Sequence, residues 1–173
     1  MRSEERRAFI LDTLRRSKEP VSAAALAALC GVSRQIIVGD VALLRSAGED
    51  VAATPRGYVM QSVPAGIVRR VACRHTDAEM ESELNAIVDQ GCEVLDVVVE
   101  HPVYGQLTGA LRLKSRYDVG QFLRRCAEAD AKPLSELTEG IHLHTLACPD
   151  AAAFERARRA LEALGFLLLE ENS

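Results

Sequence analysis

The 173-residue chain has no tryptophan, and its few phenylalanines and tyrosines bring aromatics to only 4%. Platforms that stack single-stranded nucleic acid are built from such rings, so that class of binder is disfavoured. No segment approaches the roughly eighteen consecutive apolar residues of a membrane span. The charged start Met1-Arg2-Ser3-Glu4-Glu5-Arg6-Arg7 has no apolar run behind it, which argues against a secretory signal. The cysteines (Cys30, Cys73, Cys92, Cys126, Cys148) are odd in number and lack a CxxC pair. Reduced thiols are therefore expected rather than a disulfide framework. What remains, 48% hydrophobic and 27% charged residues, is the composition of a globular protein, expected in the cytoplasm with no membrane partner.

Charge is unevenly placed. Residues 1–60 hold nine Lys/Arg against seven Asp/Glu, whereas the remainder holds twelve against eighteen. A mildly basic N-terminal part joined to an acidic remainder suits a nucleic-acid module carried beside a partner domain.

The first part reads as three helices and a hairpin. Ala8, Ile10, Leu11 and Leu14 recur at helical spacing, and Ser17-Lys18-Glu19-Pro20 ends that helix. Ser22 caps a second helix that stops at Gly31, and Ser33 caps a third with Ile36, Ile37, Val41 and Leu44 on its apolar side. The connection Cys30-Gly31-Val32-Ser33 has the shortness and the glycine of a helix-turn-helix. Thr54-Pro55-Arg56-Gly57 then centres a two-stranded wing. In such a motif the third helix enters the major groove by its N-terminal end, so Ser33, Arg34 and Gln35 are the candidate base readers. Arg45 and the wing residue Arg56 are candidate phosphate contacts. A three-helix bundle used for protein contact is the competing interpretation.

Ser62–Gly66 is the candidate linker, between a domain at 1–61 and another at 67–173. Beyond it, strands are expected at 67–74, 94–100, 108–113, 141–147 and 166–169, with helices at 77–90, 117–129 and 151–164. The β-α-β-β-α-β order predicts an α/β sandwich, ferredoxin-like with an added αβ unit or HPr-like, and gives the whole chain an α+β class.

All four histidines lie in this second part. In Ile141-His142-Leu143-His144 the two imidazoles share one strand face, with Ile141 and Leu143 expected to point into the core. Paired imidazoles suit Zn, Ni, Fe or Cu, although for an HxH alone an exposed polar strand face is the more frequent explanation. His75 precedes a helix bearing Glu79, Glu81 and Glu83, so a carboxylate from that helix can join such a site. Cys73 and Cys148 are near the histidines in sequence; buried structural thiols are the simpler explanation, a thiolate ligand the other. His101-Pro102-Val103-Tyr104-Gly105 ends a strand, as a pocket rim or as a solvent-facing turn.

Three sets of residues together resemble a known family. These are Val32-Ser33-Arg34-Gln35-Ile36-Ile37 with Asp40–Arg45 and Thr54–Tyr58; Cys73-Arg74-His75-Thr76; and Val98–Gly105 with Gly140–Thr145. The chain resembles the niacin-responsive transcriptional repressors, in which a winged helix-turn-helix precedes a three-histidine (3H) domain. That resemblance implies a repressor of NAD-precursor uptake and biosynthesis genes rather than an enzyme. It implies a homodimer on double-stranded operator DNA, with nicotinic acid as co-repressor and one divalent transition metal (Ni, Zn or Fe) per chain. It places the metal on His75, Glu83, His142 and His144, and His101 with Tyr104 at the ligand. A metal-sensing regulator and, more distantly, a small metal hydrolase using Glu83 or Glu79 as base are the alternatives.

Overall fold

The computed structural model describes residues 1–61 and 65–169, so residues 62–64 of the expected linker and the last four residues lie outside it. The chain divides into two compact units, parted after residue 63.

In the first unit, α1 (Ser3–Arg16), α2 (Ala23–Cys30) and α3 (Arg34–Ser46) precede a hairpin of β1 (Val51–Thr54) and β2 (Gly57–Met60). Gly31 ends α2 in the left-handed conformation (φ 65°), and two residues later the Ser33 hydroxyl accepts the Ile36 N–H to start α3. This turn sets the two helices at 102°, as a helix-turn-helix requires. Ile10, Leu14, Leu26, Ile37, Val41 and Val51 form the core. The wing is tied down by Val21, which exchanges both backbone hydrogen bonds with Tyr58. A Cβ at Gly57 would collide with the Val21 carbonyl, so the tight crossing needs glycine there.

One charged pair locks the helices. Asp40, on α3 and 4% exposed, accepts from Arg6 Nε at 2.6 Å and Nη2 at 3.2 Å, with Arg7 Nη1 3.7 Å away. The planar guanidinium matches the carboxylate in bidentate fashion, which fixes the register of α1 against α3.

The second unit is one four-stranded antiparallel sheet with helices on one face. Its strands are β3 (Ile67–Arg74), β4 (Glu93–His101), β5 (Gly105–Leu113) and β6 (Ile141–Cys148), in the order β3-β6-β4-β5. Its second and fourth strands are central. This is the HPr-like one of the two expected arrangements; the ferredoxin-like order would centre the first and third strands. Helices α4 (Met80–Val88), α5 (Arg116–Glu128) and α6 (Ala151–Ala163) give Leu84, Ile87, Val119, Ala157 and Leu161 to a core completed by Val71, Val94, Leu113 and Leu146.

Several expectations are corrected. The single helix expected at 77–90 opens with a 3-10 turn, Asp77–Glu79, before α4, and a second such turn, Leu134–Thr138, was not foreseen. The final strand at 166–169 is reduced to an isolated bridge, Cys73 to Leu167. Cys92 and Cys148 are joined as a disulfide (Cα–Cα 4.4 Å) rather than left as thiols; Cys30, Cys73 and Cys126 stay free. Cys92 stands where the β4–β6 ladder continues past the pair Glu93–Ala147, directly opposite Cys148.

The largest correction concerns β6. His142 and His144 are 3% exposed and face the helices, whereas Ile141 is 42% exposed. Ile141 and Leu143 face the other way, with Ala72, Val98 and Leu168 around an apolar trough of about 410 Å³. Helices α4, α5 and α6 cover the sheet face that His142 and His144 share, so the HxH pair is enclosed rather than wet.

Asp40→Ala leaves the Arg6 guanidinium without its carboxylate and is expected to cost about 2–3 kcal/mol. Urea unfolding of the full chain checks this; a loss below about 0.5 kcal/mol would show that the pair does not lock the helices.

Candidate functional site

Four side chains converge between β3, α4 and β6. His75 follows β3, Glu83 rises from the first turn of α4, and His142 and His144 descend from β6. Glu83 is 1% exposed, and the side chains of the three histidines are 2–3% exposed. Every imidazole Nε2 reaches the same carboxylate: His75 at 2.6 Å and His144 at 3.2 Å to Oε2, and His142 at 2.8 Å to Oε1. The rings of His75 and His142, and of His142 and His144, stand edge to face with centroids 4.8 Å apart.

The opposite ring nitrogens are all anchored to the backbone. His75 Nδ1 donates to the Thr76 carbonyl at 2.7 Å, His142 Nδ1 to Gly140 at 2.8 Å and His144 Nδ1 to Asp96 at 2.7 Å. With its proton committed to Nδ1, a neutral imidazole presents only a lone pair at Nε2. Three lone pairs then face an anionic carboxylate, an arrangement that needs protons or a cation between them. The donor set, with every second nitrogen oriented by a carbonyl, therefore fits a divalent transition metal.

Electrostatics follow from the same contacts. Burial opposes charge on Glu83, but the three imidazoles outweigh it and hold the carboxyl well below its usual range. Burial also opposes protonation of His75 and His144, yet Glu83 wins and raises both. Cys73, fully buried on β3 opposite His142, has its thiol pushed far up by burial and by the facing Glu83. Cys73 Sγ, a Glu83 oxygen and a His142 nitrogen all lie within 4.8 Å of one another.

Of the other acids on this segment, Glu79 caps the 3-10 turn by accepting from Thr76 N at 2.8 Å and Oγ1 at 3.0 Å, and Glu81 is exposed. Asp96 was not singled out in the sequence. Its carbonyl orients His144, and its carboxylate accepts the Thr145 N–H at 3.0 Å.

His101 and Tyr104 are elsewhere. They lie at the β4–β5 hairpin, four residues along β4 from the Val97 that pairs with His144, or about 13 Å of strand. His101 Nδ1 accepts the N–H groups of Val103 (3.1 Å) and Tyr104 (3.2 Å), so it closes the turn, and its ring lies 5.0 Å from Tyr104. Tyr104 is 74% exposed. The trough on the open face is lined by neither.

On the first unit, Arg34 and Gln35 are exposed at the start of α3, while Ser33 is the cap itself. Arg45 Nε donates to the Val51 carbonyl at 2.8 Å and its guanidinium lies over Tyr58. Arg56 Nη1 pairs with Glu19 at 3.0 Å. Both arginines therefore brace the wing.

Comparison with known proteins bears on both units. Residues 6–59 match an HTH domain model, and residues 68–170 match the 3H domain model. The chain is 45% identical over 167 residues to the probable transcription repressor NiaR of Thermotoga maritima, covering 96% of this chain and 95% of that one. It is 41% identical to the transcription repressor NadR of Bacillus subtilis, covering 94% and 93% respectively. The chain belongs to the NiaR/NadR family of transcription repressors. With an HTH domain and relatives named as transcription repressors, the chain is a regulator and not an enzyme. Among the described residues no single helix is long and apolar enough to cross a membrane.

The charge pattern of this NiaR/NadR member predicts a pH dependence. The raised His75 and His144 stabilise the metal-free fold fully below the ordinary imidazole value of 6.5, and this is lost as pH rises through their folded values. The lowered Glu83 stabilises it fully above 4.5, and this is lost as pH falls through its folded value. Chelator-treated protein is thus expected to melt highest between these limits and to lose stability as pH rises further through the raised histidine values. Calorimetry across pH checks the sign; a melting temperature that climbs steadily into the alkaline range would contradict it.

Proposed function

We propose that the chain represses genes of NAD-precursor uptake and biosynthesis, binding operator DNA as a homodimer with nicotinic acid as co-repressor. In this reading the second unit holds one divalent transition metal (Ni, Zn or Fe) on His75, Glu83, His142 and His144. The observation that carries it is the pinning of three Nδ1–H groups to backbone carbonyls while three Nε2 lone pairs converge on one buried carboxylate. When bound, the metal supplies positive charge that a carboxylate or pyridine nitrogen can take up as a further ligand.

The chain's own residues do the rest. Thr76, Gly140 and Asp96 orient the imidazoles through their carbonyls, and Glu83 would offset one of the ion's two positive charges. Gly140 is held at φ 87° against the backbone of His75, where a Cβ would collide with the His75 carbonyl, so the two histidine-bearing segments are positioned together. Arg34 and Gln35 meet base edges; Ser33 sets the helix that carries them. Arg45 and Arg56 hold the wing beside the phosphates, Arg56 by exchanging Glu19 for a phosphate oxygen. His101 has Nε2 left for the co-repressor once the turn has taken Nδ1. The co-repressor acts by binding the DNA-competent state better than the other.

A second reading, in which the metal itself is the signal, is favoured by the burial of the donors, since an ion fills such a site without help from an organic ligand.

Elemental analysis with nicotinate titrations of metal-loaded and chelated protein, read by operator affinity, separates the two. Nicotinate is expected to tighten DNA binding only when metal is present. A response of equal size in chelated protein would uncouple ligand from metal, and a response to metal with none to nicotinate would favour the second reading. His101→Ala is expected to weaken the nicotinate response more than ligand-free DNA binding. Arg34→Ala is expected to cost about 1–3 kcal/mol of specific operator binding with thermal stability unchanged. Undiminished operator affinity in a binding titration would remove Arg34 from base reading.

A further inference from the structure

Cys73 stands directly across the β3–β6 ladder from His142 and two residues before His75, so sulfur from β3 joins the imidazoles on the face that meets Glu83. The thiol is completely buried. A metal holds sulfur at about 2.3 Å and nitrogen or oxygen at about 2.0–2.2 Å, so two donors on one ion stand at most about 4.5 Å apart. Cys73 Sγ, Glu83 and His142 already meet within 4.8 Å; three donors sharing one ion stand about 3.5–4 Å apart, so about an ångström of closure brings all three onto one centre. Nothing in the packing of an apolar core requires sulfur to face a carboxylate and an imidazole; an alanine or valine would bury as well there.

We propose that Cys73 is a sulfur ligand of the metal held by His75, Glu83, His142 and His144, and that it sets the site's preference for thiophilic divalent ions. The proposal rests on the metal reading above. Ligation replaces the S–H bond by a sulfur–metal bond and releases one proton to solvent, with no change of oxidation state. A mixed sulfur, nitrogen and oxygen donor set favours Zn, Co and Ni over Mn and Mg, which an all-oxygen or carboxylate-rich site would accept.

Cobalt(II) is the probe, added to the full-length metal-free protein. The wild type is expected to show both ligand-field bands and a near-ultraviolet sulfur-to-cobalt charge-transfer band. Cys73→Ser is expected to keep the first and lose the second, with its preference for Zn over Mn reduced at least about tenfold, since even outer partners of a metal site are worth that much. Cys126→Ala, a free cysteine on α5, should leave both bands in place. Cobalt bound without charge transfer in the wild type, or charge transfer that survives Cys73→Ser, overturns the role of Cys73 and leaves the His/Glu site standing. A wild type with no ligand-field bands overturns the metal reading, and Cys73 with it. Circular dichroism of the metal-free variant reports whether it folds; if it does not, the wild-type spectrum alone decides.

Discussion

Burying an ionised carboxylate without partners costs several kcal/mol, and Glu83 is buried almost completely. The second unit is organised around meeting that cost. Three imidazoles, two from β6 and one from just past β3, close on the one anion, and each ring is held at its far nitrogen by a backbone carbonyl that the sheet and its turns fix in place. Removing any one element would leave the others with unpaired polar groups in an apolar setting. The site is therefore as much a constraint on the fold as a product of it. The Thr76 turn, the Gly140 turn and the Asp96 stretch of β4 all have to be where they are for the rings to aim at α4.

The two units solve the buried-charge problem differently. Asp40 is matched by a guanidinium that never loses its proton, so the α1–α3 lock is permanent across ordinary pH. Glu83 is matched by groups that titrate and that also bind metals. The first arrangement suits a reading head whose shape must not vary. The second suits a domain whose state is set by what it binds.

Much of this was legible in the residues. The turn Cys30–Ser33 and its two caps carry their own stereochemistry, and β3 runs over the residues its apolar spacing marked. That His142 and His144 share a face follows from the two-residue repeat of a strand, but which face they share does not. Ile141 and Leu143 look like the core residues until the sheet order places β6 in the centre, where both faces are covered in part and Thr145–Cys148 are buried throughout. Glu83 was chosen from three acids by resemblance alone. A local signal did exist: it falls in the stripe formed by Met80, Leu84 and Ile87, where a charge is out of place unless it is matched. The disulfide, whose cysteines are 56 residues apart in the sequence, and the inward use of Arg45 and Arg56 depend on tertiary contacts that no short window contains.

β6 is a partition with a different tenant on each side. Leu143 lies between His142 and His144 in the chain but belongs to the open trough, together with Ile141 on one wall. Alternate residues of one strand share its backbone, so what fixes the aim of the two rings also fixes Leu143 on the other side. The open sheet face and the closed cluster are thus shaped by the same stretch of backbone.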